Sequence, residues 1–499
     1  MTPRMLPFGP GALTFIGLYL LSLLAIGWIG YRARREDSMR DFFLANRGIG
    51  FVVLVLTLYA TQYSGNTLFG FTGRSYRYGY FWMTSLHFMT AIVVFYLLFA
   101  PKLQSLAKNR GFITPTDFLD HRFASPGVNL LATIIMIVAI SNYLIGQLKA
   151  MGHAFEGLTG LDDKLAYCSG VMLLAAIIIV YETLGGFRAV VWTDAIQGLI
   201  LIFGFAILVV LIFKTYGSLA TANDILALRD DPESLSKIMP PSGDQCRQWI
   251  SYVLLVGIGG ALYPQAIQRI YAARSASTLR RSLAVMAFLP LTTALVALIV
   301  GIIAAAHLPA FEDAHADRIL AVICQRIQQD SWLGYWLVVV LFAAILAAIM
   351  STADSVLLSI SSMVTKDIYG RFVRRNAEDR ELTRFGKRLS WVVVAVVAVF
   401  AILLRERTDL VKLLDRKFDL LVQLAPAFFI GVHWSRLRAG PVLAGMVAGV
   451  AVALVLAYGV SSRIWGFHPG LIGLLVNVLI AVGGSFRPAK GQPGKTAAG

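Results

Sequence analysis

Ala347–Leu358 (AAIMSTADSVLL) places three hydroxyls and a carboxylate inside an apolar run of residues 333–364. Polar groups at such depth are costly in hydrocarbon and point inward, to a partner or a pathway. On a helix, Ala348, Ser351, Thr352 and Ser355 fall at i, i+3, i+4 and i+7 and share one face. The Ser351 and Thr352 hydroxyls and the Ala348 carbonyl are hard oxygen donors, suited to a small monovalent cation that wants about five or six oxygens and little negative charge. The ordinary structural use of such a pair is back-bonding to the preceding turn. Further oxygens could come from Leu58–Thr67 (LYATQYSGNT), where small and polar residues interrupt another apolar span at the same depth. A broken helix frees backbone groups that lipid cannot satisfy, so the break must face a cavity or other protein.

A second interruption, residues 257–265 (GIGGALYPQ), lies five spans later. Paired interruptions at corresponding positions mark the central site of inverted-repeat transporters; taken singly, each also reads as close helix packing through small residues. Amides, hydroxyls and phenols near the breaks are candidates for a small polar solute: Gln62, Ser64, Asn66, Tyr143, Gln147, Tyr263 and Gln265. Each could equally be an interhelical hydrogen bond. Asp194 and Asp354 are each expected roughly 10–15 Å below the inner surface. Two carboxylates at that depth repel unless they share a cation or a proton. Their alternatives are backbone amides near Asp194, and Lys366 or water for Asp354. His87 reads as a structural histidine or a proton relay. Lys412, Asp415, Arg416, Lys417 and Asp419 open the eleventh span as a wet vestibule or a late helix start. If Arg416 or Lys417 points inward, an anionic solute becomes attractive.

The elements that must position these groups are membrane helices. Of 499 residues, 57% are hydrophobic and 14% charged, too few charges to cover a soluble protein. Thirteen stretches are long and apolar enough to span a bilayer: 11–31, 50–72, 78–101, 128–148, 164–182, 188–213, 247–269, 282–306, 333–363, 386–404, 409–432, 439–460 and 468–486. Alternate loops differ roughly twofold in Lys and Arg, with Arg32–Arg47, Lys102–Arg122, Arg269–Arg281 and Lys366–Arg388 on the rich side. That side is expected to be cytoplasmic, with the N-terminus outside and the C-terminus inside; the expected location is a plasma membrane, by class a bacterial inner membrane. The formal charge of +16 follows from this bias and is no nucleic-acid footprint. One transmembrane domain, 1–486, is expected, followed by a disordered cytoplasmic tail, 487–499 (RPAKGQPGKTAAG from Arg487). Cys168, Cys246 and Cys324 form no paired motif, and a Cys246–Cys324 disulfide stays open. Nucleotide-binding and HExxH motifs are absent, so neither an ATP-driven pump nor an enzyme is expected.

AAIMSTADSVLLSISSMVTKDIY (Ala347–Tyr369) and TLGGFRAVVWTDAIQGLI (Thr183–Ile200) resemble the two signatures of the sodium/solute symporter family, which includes proline, sialic acid, pantothenate, glucose and iodide carriers. QRIYAARS (Gln268–Ser275) and TPTDFLDHRF (Thr114–Phe123) are similar to its inner connections. The resemblance implies an all-α, LeuT-type core of 5+5 inverted repeats, about 50–213 and 247–432, among about 13 transmembrane helices. It implies a sodium site on the carbonyls of Ala60, Tyr63 and Ala348 and the hydroxyls of Ser351 and Thr352. It also implies a possible second cation or proton site at Asp194, Asp354 and Ser355. Gln62 stands where the proline carrier has a carboxylate, and Gly260 and Val256 where it has aromatic residues, which makes proline a poor substrate guess. The expected function is Na+-coupled symport of a small polar or anionic organic solute, with Na+ as the co-transported ion and no organic cofactor. Proton coupling on the same fold and a solute sensor are the alternatives; a tail of about thirteen residues disfavours a fused signalling module.

Overall fold

The computed structural model describes residues 8–33, 36, 38–156, 163–308, 319–405, 410–460 and 463–486, with side chains omitted at 66 and 410–415. The expected tail, 487–499, lies outside the described residues, as do Arg34 and Arg35. The chain is nearly all helical. In order come α1 (Pro10–Arg32), α2 (Met39–Leu44), α3 (Phe51–Gln62), α4 (Gly65–Tyr78), α5 (Thr84–Arg110), α6 (Asp117–Phe123) and α7 (Pro126–Glu156). Next are α8 (Asp163–Tyr216), α9 (Leu219–Leu228), α10 (Pro232–Ile238), α11 (Gly243–Ala261), α12 (Pro264–Ala272), α13 (Ala276–Met286) and α14 (Pro290–His307). Then follow α15 (Ile319–Asp330), α16 (Trp332–Met363), α17 (Asp379–Leu403), α18 (Leu410–Leu421), the single turn α19 (Gly431–His433), α20 (Ala439–Gly459) and α21 (Pro469–Phe486).

Among the described residues, nine helices are long and apolar enough to cross a bilayer, or ten when α11 and α12 are counted as one bent span. The number is below thirteen partly because helices fuse. α8 runs 54 residues, about 80 Å, enough for two crossings. Gly186 breaks it with φ +56°, between the two spans read from the sequence. A side chain there would be strained, and its Cβ would lie 2.6 Å from the Phe42 carbonyl oxygen.

Both expected interruptions are present. α3 stops at Gln62, Tyr63 and Ser64 are extended, and α4 restarts at Gly65. The Ser64 N–H donates to Thr67 Oγ1 at 3.2 Å, which satisfies one group at the restart. α11 and α12 meet at a 51° bend around Leu262–Tyr263. Here the sequence reading needs correction in detail. Gly257, Gly259 and Gly260 are helical, and they serve close packing: a Cβ at each would come within 2.8 Å or less of Ala91, Phe418 and Ile92, respectively. The break follows them, at Pro264, which lacks an N–H to continue the ladder.

α16 is the most enclosed span, 72% buried over its most apolar window against 28–56% for the others. It packs on α8, α7, α3, α4 and α12. That enclosure is why Ser, Thr and Asp are tolerated along it: they meet protein instead of lipid. Just past its C-terminal end Thr114 and Thr116 donate to the two oxygens of Asp367, at 3.0 and 2.6 Å. Lys366 and Arg371 pair with Asp117 and Asp120, each at 2.5 Å. Two of the quoted sequence motifs thus bind each other. The three cysteines are free, Cys246 exposed and Cys324 buried, so the open disulfide is not formed.

Gly186→Ala is expected to destabilise the protein by about 1–3 kcal/mol. A lowered unfolding midpoint of the detergent-solubilised protein checks it, and an unchanged midpoint contradicts the account of the kink.

Candidate functional site in the bundle interior

The last turn of α3 and the middle of α16 touch. Ser351 Oγ donates to the Ala60 carbonyl at 3.1 Å and lies 3.2 Å from the Ala348 carbonyl. Thr352 Oγ1 donates to the same Ala348 oxygen at 3.1 Å. Four of the expected sodium ligands therefore converge, two carbonyls and two hydroxyls, all wholly buried. Tyr63, the fifth, lies at the break, its N–H bonded to Tyr59. The hydroxyls also make the ordinary back-bonds to the preceding turn; the contact across to Ala60 is the additional feature. Gly65 allows it, since a Cβ there would meet Ile349 of α16 at 2.5 Å.

Below this cluster the structure departs from the sequence reading. In sequence Arg269 reads as a basic residue of a connecting loop; it lies on α12, fully buried. Its guanidinium donates to Asp194 Oδ2 at 2.5 Å, Thr57 Oγ1 at 2.7 Å, Ser355 Oγ at 2.6 Å and the Gln265 carbonyl at 2.9 Å. Thr57 also donates to Asp194 Oδ2, at 2.5 Å. Four helices, α3, α8, α12 and α16, meet on one side chain. Asp194 thus takes its counter-ion from the chain, instead of backbone amides, while its Oδ1 stays buried without a partner among the described residues. Asp354 accepts from the Tyr181 hydroxyl and, at 3.1 Å, from Ser355, whereas Lys366 pairs elsewhere. The two carboxylates do not bond each other; Arg269 and Ser355 stand between their networks. Only the spacing of Gln265 and Arg269, four apart with apolar neighbours, hinted that this arginine faces inward.

Above the cluster is a cavity of about 320 Å³ including its open mouth. Gln62, Ser64, Tyr143 and Tyr263 line it, as the sequence proposed, together with Thr67, Phe88, Ile92, Val256 and Phe418. Gln62 Nε2 donates to Tyr96 at 2.7 Å. Tyr143 and Tyr263 stack with centroids 5.7 Å apart, and the Tyr143 hydroxyl interacts with Ser64 and Thr352. One ring therefore touches both cavity and hydroxyl cluster. Gln147 and Gln265 do not line the cavity; both are buried, with Gln147 Oε1 and both polar atoms of the Gln265 amide lacking partners among the described residues. The Asn66 side chain lies outside the described residues. His87 packs on Trp249, centroids 5.2 Å apart. Arg416 covers the Tyr458 ring, and Lys417 turns inward onto Tyr143.

Broken helices, a hydroxyl-bearing central span and a cavity beside it define a membrane transporter. The chain belongs to the sodium:solute symporter family, whose model matches residues 42–449. It is 31% identical over 487 residues to the osmoregulated proline transporter OpuE of Bacillus subtilis (strain 168), covering 95% of each chain. It is 28% identical to the high-affinity proline transporter PutP of the same organism, over 91% of this chain and 94% of that one. In structure it is similar to a substrate-bound, outward-open Na+-coupled sialic acid symporter, with TM-score 0.78, 21% identity, and 97% and 99% of the two chains covered. It is thus a multi-pass membrane protein with a transporter fold.

Removing either partner of the Asp194–Arg269 pair should cost about 3–5 kcal/mol, because the other charge is left buried. Asp194→Asn and Arg269→Gln should each reduce the yield of monodisperse protein more than the double change does. Additive losses would mean the pair is not coupled.

Proposed function

We propose that the protein is a sodium-coupled secondary symporter importing a small polar or anionic organic solute by alternating access. The observation that carries this reading is the joining of Ala60, Ala348, Ser351 and Thr352 between a helix break and the most enclosed span. In this reading Na+, as cargo, takes those oxygens together with the Tyr63 carbonyl, and the hydroxyl hydrogens turn away. Sodium then links α3 to α16 where a hydroxyl alone links them otherwise. The solute binds above, among Gln62, Ser64, Asn66, Tyr143 and Tyr263, with Gln147 and Gln265 close to the same breaks. Tyr143 reaches Thr352, so either ligand favours a ring position that suits the other, and the two affinities are reciprocally linked.

The finer architecture is part of the proposal: thirteen crossings, N-terminus outside, C-terminus cytoplasmic, and two inverted five-span repeats, about 50–213 and 247–432, in one domain. The matched breaks five spans apart and the Lys/Arg bias support it. The bacterial plasma membrane is the proposed location, by the company of its relatives. A second cation or proton position at Asp194, Asp354 and Ser355 is supported by the buried Asp194 Oδ1, which has no partner among the described residues, while Arg269 already supplies a positive charge to Asp194 Oδ2 and Ser355. Proton coupling would draw on the same carboxylates.

Thr352→Ala should raise the Na+ concentration for half-maximal uptake by roughly tenfold or more, the worth of one lost oxygen contact to a charge. Uptake into proteoliposomes under imposed Na+ or pH gradients measures it. Uptake that follows pH and ignores Na+ would replace the sodium reading. For the secondary position, Ser355→Ala should lower the Hill slope for Na+; an unchanged slope and affinity removes it.

A further inference from the structure

Glu182 is a carboxylate that the central site does not use. It lies on α8 just before the kink at Gly186 and is 1% exposed. The preceding residue, Tyr181, turns to Asp354 of α16, whereas Glu182 turns to α17. There Ser390 Oγ donates to Glu182 Oε1 at 2.9 Å, and Oε2 has no partner among the described residues. A buried, ionised carboxylate held by one hydroxyl needs a compensating positive charge. The nearby basic side chains are directed elsewhere. Lys387 of α17 lies over the Phe42 ring, Arg188 pairs with Asp41, Arg269 with Asp194 and Lys366 with Asp117.

Hydroxyls continue from Glu182 across to α16. Ser361 Oγ donates to the Gly386 carbonyl at 2.7 Å, and Ser390 Oγ lies 3.4 Å from the same oxygen. Glu182, Ser390, Gly386 and Ser361 thus form one polar chain through α8, α17 and α16. Thr365, one turn beyond Ser361, is fully buried, and its hydroxyl also lacks a partner among the described residues. Glycine at 386 leaves the space between them: a Cβ there would lie 3.0 Å from Thr365 Oγ1, 3.4 Å from Ser361 Oγ and 2.9 Å from the Phe43 ring. Two open, buried oxygens on different elements therefore flank one row of hydroxyls. The donor set is one carboxylate, three hydroxyls and a carbonyl, all hard oxygens with a single negative charge. That suits a small monovalent cation, whereas a divalent ion takes more carboxylates.

We propose that Glu182, Ser361, Thr365, Ser390 and the Gly386 carbonyl form a binding site for a small alkali cation. It is separate from the hydroxyl cluster at Thr352 and from the position at Asp194 and Asp354. The Ser361 and Ser390 hydrogens keep their present acceptors, while Glu182 Oε2 and Thr365 Oγ1 supply the open lone pairs. A proton would neutralise Glu182 but would not engage Thr365; a cation engages both. The ion joins three helices that pack on one another, α8, α16 and α17. The site goes beyond the symport reading, since none of its ligands touches the solute cavity or the coupling sodium.

The test counts radioactive sodium bound at equilibrium to the full-length, purified protein. Glu182→Gln keeps the size of the side chain and an acceptor for Ser390. It should bind one ion fewer per protein, or hold that ion at least about tenfold more weakly. Thr365→Val should weaken the same ion, and it carries the test should Glu182→Gln fail to fold. Thr352→Ala should remove a different ion, so that combining it with Glu182→Gln loses two. The wild-type sodium count in Glu182→Gln, or in Thr365→Val, would overturn the proposal. So would an unchanged count accompanied by loss of a pH-dependent unfolding midpoint in Glu182→Gln, which would mark a buried acid instead of a cation site. Failure of the symport reading looks different: Thr352→Ala would then keep every ion while Glu182→Gln still lost one.

Discussion

A backbone carbonyl inside a bilayer must find a partner within the protein, and that requirement governs this structure. Breaking α3 at Gln62 strips its last turn of the amides that would have continued the ladder. α16 answers with hydroxyls, and Ser351 reaches the Ala60 carbonyl. A hydroxyl hydrogen and a sodium ion are alternative solutions to the same electrostatic problem, oxygen atoms turned toward one point with too little positive charge between them. The same constraint sets the rest: α16 must be enclosed, Gly65 must have no side chain, and α4 must restart at once.

The guanidinium of Arg269 solves a related problem one turn below. Asp194 is too deep to be hydrated, and an unpaired charge there would be expensive. Arginine offers a rigid fork of donors, and here it reaches a carboxylate, two hydroxyls and a carbonyl on four helices. Such a junction ties one half of each broken span, α3 by Thr57 and α12 by Arg269 itself, to the central helix. Its strength depends on complete occupancy of the donors, since a half-satisfied buried network is worse than an apolar one.

The cavity and the hydroxyl cluster are separated by one tyrosine. Tyr143 stacks on Tyr263, lies under Lys417, and interacts with Ser64 and Thr352. Packing this dense leaves few independent positions for the ring, so a ligand on one side is felt on the other. Coupling in this reading needs no relay beyond a single side chain.

The class of the molecule, its apolar spans and the two interruptions were legible in the chain, because hydrocarbon imposes length and polarity on any segment that crosses it. The face shared by Ala348, Ser351 and Thr352 was legible too, since helical periodicity alone puts them together. Other features were beyond it. Arg269 read as a loop cation because it follows the last apolar residues closely, and only the bend at Pro264 swings it into the core. Residues 257–265 read as one interruption, but the bend falls only at Leu262–Tyr263 within it, and Gly257, Gly259 and Gly260 serve close packing against α5 and α18. Asp194 and Asp354 have similar depth, but depth carries no azimuth, and which side chain stands between them is decided by how α8, α12 and α16 pack. Local pattern determines what a helix can bury; only the packing of helices against one another determines which groups meet.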